Sequence, residues 1–331
     1  MRYRHLGFTR VPFGEYGVRR FFKLTTLGRV ATLSATFLVL DAWASWAPWA
    51  PLLIPRNGGY FHAQALARDR GGAAESEAAH FERSQQALLQ AEVARLAPPN
   101  KGATNVYAVG IAGYADQDVF LKELDGGLAV FDRILSTRNR TVRLVNDRGS
   151  AKTLPLASQR NFAAAVHAIG ATMDKNADVL LLLMTSHGDR SGFVLRLPDT
   201  ATSELTPQEV AQTLDKEGIK NRIVIVSACF SGIFVPPLAN DNTVVLTAAD
   251  AAHASFGCAA EREWTYFGDA FFRQSGRPGV DLQRAFDHAR TLIYGWEMMD
   301  HAPPSNPQGH FGPALVNKLA PFFAAAPTAG Q

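Results

Sequence analysis

Cysteine is nearly absent from this chain: Cys229 and Cys258 are the only two in 331 residues. An exported protein could pair them, but pairing would consume the more interesting thiol, so the expectation is one active Cys229 and one buried Cys258. No Cys-x-x-Cys and no His-Glu-x-x-His occurs, and the nine histidines are scattered, which excludes the usual metal motifs. Neither a metal nor another cofactor is expected. Gly110-Ile111-Ala112-Gly113 follows a predicted strand but lacks the third glycine and acidic partner of a dinucleotide fingerprint. No internal repeat is present. Charge is missing from one long stretch, since Asp41 is the sole charged residue between Val30 and Pro55.

The net charge of +3 is unevenly placed. Residues 1–30 carry seven basic side chains against Glu15, a local net of +6, so the remaining 301 residues sum to −3. The body is mildly acidic and gives no footprint for nucleic acid. About 20 apolar residues cross a bilayer, so residues 30–50 are expected to form a transmembrane anchor. Residues 1–29 would be a basic cytoplasmic tail, with Trp43, Trp46 and Trp49 at the far interface. A cleaved signal peptide is the competing reading: Val30–Leu40 resembles an h-region, and Ala42-Trp43-Ala44 a small-x-small site. The 29-residue basic lead is long for that alternative. Both readings put the body outside the cytoplasm.

Residues 51–102 read as a linker containing one helix, Ala73–Leu96, with Ala79, Leu88, Leu89, Val93 and Leu96 roughly on one stripe. From Thr104 strands alternate with helices, which predicts a mostly parallel sheet with right-handed crossovers. Strands are expected at Asn105–Ile111, Val142–Val145, Ala177–Ser186, Ile223–Ala228 and Thr243–Ala248. Helices are expected at Asp118–Leu135, Ser158–Met173, from Thr206, at Phe267–Gln274 and at Asp281–Met298. Phe193–Leu197 suggests a small hairpin. Residues 301–331, rich in Pro, Gly and Ala, read as a surface tail.

Two of the predicted strands are continuous apolar runs, the pattern of strands buried on both faces. Val179–Ser186 runs into His187-Gly188, and Ile223–Ala228 runs into Cys229. Neighbouring parallel strands end on the same side of a sheet, at the crevice where open α/β sheets bind ligands. A His and a Cys there are the minimum kit for thiolate catalysis. Small residues flank the thiol in Ser227-Ala228-Cys229-Phe230-Ser231-Gly232, and the amides of Gly188 and Cys229 are candidate oxyanion donors. Either residue alone is more commonly structural. The pair, 42 positions apart with one crossover between, is far more specific. His167 reads as structural and His253 as a loop residue.

Ser186-His187-Gly188 and Ser227-Ala228-Cys229-Phe230-Ser231-Gly232 resemble the His-Gly and Ala-Cys signatures of the legumain family of cysteine endopeptidases, in the caspase-like superfamily. Ala254-Ser255-Phe256-Gly257-Cys258 and Thr265-Tyr266-Phe267-Gly268-Asp269 resemble family blocks downstream. The likeness runs from about Asn105 to Arg290, and its order and spacing match a bacterial branch with an amino-terminal membrane segment. It implies a caspase-like three-layer α/β/α sandwich with a mostly parallel sheet over residues 103–300, preceded by one transmembrane helix. It implies Cys229 as nucleophile, His187 as general acid/base, and a peptide or protein substrate. The body would be periplasmic, held on the inner membrane by a single span. By the same resemblance Asp116 matches the residue that orients the catalytic His. Ser227 stands where legumains have a pocket acid, Asp118 falls near a pocket Arg, and Asp269 keeps the acid of the Gly-Asp position. Ser255 would line the same pocket. Such a pocket would favour a basic or amide side chain. The same residues allow a transpeptidase, and the altered pocket a degenerate membrane-tethered interaction module.

Overall fold

The structure, a computed structural model, describes residues 76, 79–197 and 202–324. In chain order it opens with helix α1 (79–93), then β1 (Val106–Ala112), α2 (Val119–Leu135), β2 (Thr141–Val145), α3 (Gln159–Thr172) and β3 (Val179–Thr185). The hairpin β4 (Phe193–Leu195) and β5 (Ser203–Leu205) follows, with α4 (Pro207–Lys216) and β6 (Arg222–Ser227) after it. Next come a 3₁₀ turn (Ser231–Phe234), α5 (Val235–Leu238) and β7 (Thr243–Thr247). The last elements are α6 (Tyr266–Gly268), a π-helical segment (Asp269–Ser275), α7 (Leu282–Met299), β8 (Gln308–Phe311) and α8 (Pro313–Phe323).

Six strands form one sheet in the order β2-β1-β3-β6-β7-β8. All neighbours are parallel except β8, which runs antiparallel to β7. The apolar runs explain the middle of this order, because every residue of β1, β3, β6 and β7 is buried. Side chains alternate between faces, so each strand serves two cores. Leu181, Leu183, Ile223 and Ile225 pack with α2, α7 and α8 on one side. Leu180, Leu182, Val224 and Val226 pack with α3, α4 and α5 on the other. The result is a three-layer α/β/α sandwich. The chain leaves β1 for β2 on one side and returns to β3 on the other, so the strand order reverses at β1/β3. Ligand crevices of open α/β sheets lie at such a point, beyond the carboxyl ends of the strands.

Local signals set the helix ends. Thr206 and Glu209 form a reciprocal capping box around Pro207 at the start of α4, and Ser158 and Asp281 cap α3 and α7. Helix α1 packs on the body: Leu89 is buried, Gln85 accepts from the Leu156 amide at 2.8 Å, and Glu82 pairs with Arg160. The segment from Ala302 is not a surface tail throughout. It supplies the last strand of the sheet and then α8, whose Leu315 and Leu319 enter the core. Its Pro and Gly residues punctuate these elements, with Pro313 at the first turn of α8.

Among the described residues no helix is long and apolar enough to cross a membrane. The expected span at residues 30–50, and the tail before it, lie outside the described residues.

Candidate active site

The parallel register of β3 and β6 pairs Thr185 with Ser227. His187 and Cys229 each lie two residues beyond that pair, so the two adjacent strands deliver them to neighbouring loops. The loops touch: a Cβ added to Gly188 would overlap the Cys229 carbonyl oxygen, and Ala228 Cβ lies just beyond, at 3.1 Å. Only glycine fits there. The Ser186 amide also donates to the Ser227 carbonyl at 3.2 Å, continuing the ladder to the last step before the loops.

The His187 ring is wedged between two aromatic edges, Tyr114 at 4.5 Å and Phe120 at 5.1 Å between ring centroids. Burial there lowers its pKa below the ordinary value of 6.5, because an imidazolium is poorly solvated against apolar rings. Nε2 meets Gln117 Oε1 at 2.5 Å. A carbonyl oxygen only accepts, so Nε2 carries the proton and Nδ1 is the basic nitrogen. Gln117 sits in the loop between β1 and α2, one position after the residue expected to do this. Asp116 is turned to Arg196 Nε at 2.8 Å and Arg148 Nη2 at 3.1 Å, and these guanidinium groups hold its carboxyl below the usual range. Its contribution is to pin the loop that presents Gln117, while Arg196 also covers the Tyr114 ring.

Cys229 opens a sharp turn. Phe230 adopts a left-handed φ of 55°, unusual for a residue with a side chain, and its amide donates to the His253 carbonyl at 2.9 Å. His253 is itself fixed, its Nδ1 lying 2.8 Å from both Asp250 oxygens. The thiol faces Ser255: the Ser255 amide donates to Sγ at 3.3 Å, and Sγ lies 3.7 Å from Ser255 Oγ. Among the described residues the thiol makes no hydrogen bond to the His187 ring. The Gly188 amide has no partner among the described residues, because the ladder between the His187 loop and β4 uses Val194 N–H to His187 O and Asp189 N–H to Gly192 O, and the Cys229 amide has none among them either. Both N–H groups thus remain candidate oxyanion donors. Both cysteines are free and half-buried, so Cys258 is less enclosed than expected.

The acids expected to line a specificity pocket are each paired with a cation. Asp269 is gripped by Arg273 and by Gln274 Nε2, in a surface depression with Arg262, Glu263 and Trp264. Asp118 pairs with Lys122 at 3.1 Å, and Lys122 with Glu263 at the same distance. Ser227 is buried, its hydroxyl 3.3 Å from that of Thr265. His167 lies on α3 with its ring against Glu217, remote in sequence from these loops. No group of three or more His, Cys, Asp or Glu side chains among the described residues is arranged to hold a metal ion.

Residues 157–313 match the model of the peptidase C13 family. No curated protein matches the chain. Among solved structures, caspase-1 from Spodoptera frugiperda is similar over 65% of this chain and 93% of its own, at 14% identity and a TM-score of 0.46.

Proposed function

We propose that this chain, whose residues 157–313 match the peptidase C13 family model, is a membrane-anchored cysteine endopeptidase acting outside the cytoplasm through Cys229 and His187. The observation that supports this reading is the contact between the loops that carry His187 and Cys229, where Gly188 packs against the Cys229 carbonyl.

The Cys229 thiol gives its proton to Nδ1 of His187, and its sulfur bonds to the peptide carbonyl carbon. The carbonyl oxygen gains the negative charge, to which the Gly188 and Cys229 amides are positioned to donate. The carbon–nitrogen bond then breaks, and the proton on His187 passes to the leaving amine. Water repeats the sequence on the thioester, releasing the acid and restoring the thiol. Gln117 keeps the ring in the tautomer that this cycle needs. An amine in place of water would give transpeptidation through the same residues.

Asp269 and Asp118 already engage Arg273 and Lys122, which leaves hydrogen-bonding groups rather than bare charge to meet a side chain. An amide side chain before the cleaved bond suits that setting better than an acidic one. The basic lead at residues 1–29 and the apolar stretch at 30–50 support a single inner-membrane span with the peptidase on the periplasmic side. Kinetics on peptide amides ending in Asn, Asp, Arg or Lys, with and without an added amine, test the proposal. Hydrolysis with Asn favoured is the expected result, and a clear Asp preference would remove the pocket assignment. Protease accessibility of the body in intact spheroplasts tests the topology.

A further inference from the structure

Glu123 is a carboxylic acid sealed inside the protein, fully buried on the inner face of α2. Among the described residues it has no basic partner within ion-pair distance. Its hydrogen bonds instead come from two separate segments, β3 and the turn before α6. Oε1 accepts from the Thr185 hydroxyl at 2.9 Å, and Oε2 from the Thr265 amide at 2.9 Å. The Ser227 hydroxyl lies 3.3 Å from that of Thr265, which links it to the group at one remove.

The positions of these donors are what matter. Thr185 is the last residue of β3, two before His187, and Ser227 is the last of β6, two before Cys229. Thr265 caps α6, the start of the segment leading to Asp269. One carboxyl group thus bonds the root of the His187 loop and the segment beside it, and through Thr265 reaches the root of the Cys229 loop. The protein is shaped to admit it: a Cβ on Gly268 would overlap Glu123 Oε2, so only glycine lets the carboxyl reach the Thr265 amide.

Stability alone gives no reason to keep such a group. A buried carboxyl without a counter-ion is costly, and apolar replacements of buried ionic groups are commonly neutral or stabilising. What an apolar side chain cannot supply is direction. Hydrogen bonds fix separations to tenths of an ångström, and a misplacement of about 1 Å can cost ~10²-fold in rate.

We propose that Glu123 is a positioning residue for the reaction, setting the separation of the His187 and Cys229 loops by bonding Thr185 and Thr265 directly and Ser227 through the Thr265 hydroxyl. This rests on the catalytic reading given above. The acid does not touch substrate, being sealed from solvent, so it acts on turnover and not on binding.

The test uses the full chain with Glu123→Leu, Glu123→Gln and Thr185→Val. The readouts are kcat and KM on a peptide amide, and the rate of Cys229 alkylation by iodoacetamide across pH, resolved from Cys258 by peptide mapping. Glu123→Leu is expected to lower kcat by ~30- to 100-fold, with KM within about twofold, and to alter the pH profile of alkylation. Glu123→Gln should stay within about threefold of wild type, because its oxygen can accept from the Thr265 amide while its NH₂ donates to the Thr185 hydroxyl. A folded Glu123→Leu protein with wild-type kcat and a wild-type alkylation profile overturns the proposal. If that variant does not fold, Thr185→Val decides: it should lower kcat several-fold at unchanged KM, and unchanged kcat overturns the proposal equally. A wild type inert in both assays overturns the catalytic reading itself, and this one with it.

Discussion

Gly188 lies against the Cys229 carbonyl so closely that no side chain fits between them. The glycine after the histidine is therefore needed for the histidine and cysteine loops to be neighbours. Gly188→Ala would push the loops apart and re-aim one of the two proposed oxyanion donors, a loss that typically costs ~10²–10³ in kcat. The prediction is a fall of that order with little change in melting temperature, measured by peptide hydrolysis and thermal denaturation of the same preparation.

Gln117 and Asp116 are adjacent, yet they do different work. Gln117→Ala removes the only hydrogen bond that the described residues make to the His187 ring, freeing its tautomer and orientation, and should reduce kcat by about tenfold or more. Asp116→Asn keeps the loop's shape and weakens two solvent-screened ion pairs of the kind that contribute little, so its kcat should stay within about threefold of wild type. Steady-state kinetics on the two variants separate the roles. Equal losses would return the orienting function to Asp116.

Burial keeps His187 neutral below its ordinary pKa of 6.5. The acid limb of kcat/KM is therefore expected below pH 6.5, since the basic imidazole persists there. Phe120→Ala admits water to the ring, stabilises the imidazolium and should move that limb upward. Stability follows the same sign. The unfolded chain binds this proton more readily than the native one, so the contribution of His187 is present above 6.5 and is lost as pH falls toward the lowered folded value. A pH–rate profile for wild type and Phe120→Ala measures the shift directly.

Glu123 gives the opposite slope. Burial raises its pKa above the ordinary 4.5, so the native state holds this proton more tightly than the unfolded state. Its stabilising effect is complete at low pH and fades as pH rises from 4.5 through the folded value. Glu123→Gln should thus melt higher than wild type near about pH 8, with the gap closing or reversing near about pH 4. Thermal denaturation at the two pH values measures it. A gap independent of pH would show that the carboxyl is not desolvated as described.

The central strands were legible because burial on both faces leaves nothing but apolar residues in Val179–Met184 and Ile223–Val226. The strand ends were legible for the same reason: the runs stop at His187 and Cys229, and the register confirms that they stop side by side. Gln117 was not legible, because its selection over Asp116 depends on Arg148 and Arg196, which reach that loop from 32 and 80 positions away. Glu123 does carry a signal in the sequence. It falls on the stripe Val119, Phe120, Leu124, Gly127 and Leu128, where a charged residue faces the core. The pairing of Asp269 with Arg273 was open to inspection as an i,i+4 contact on a helix. The last strand and α8 were hidden by composition, since the Pro, Gly and Ala of a loop also serve as the punctuation and small-residue face of regular elements.

The account rests most heavily on the Cys229 sulfur as nucleophile. Treating the full chain with a peptidyl thiol-reactive inhibitor, while following peptide hydrolysis and mapping the modified residue by mass spectrometry, tests it directly. The prediction is loss of turnover in proportion to a single adduct on Cys229, an adduct that forms far more slowly in His187→Ala, and no hydrolysis by Cys229→Ala. Hydrolysis by Cys229→Ala at the wild-type rate, or inactivation that tracks an adduct on Cys258, would contradict it.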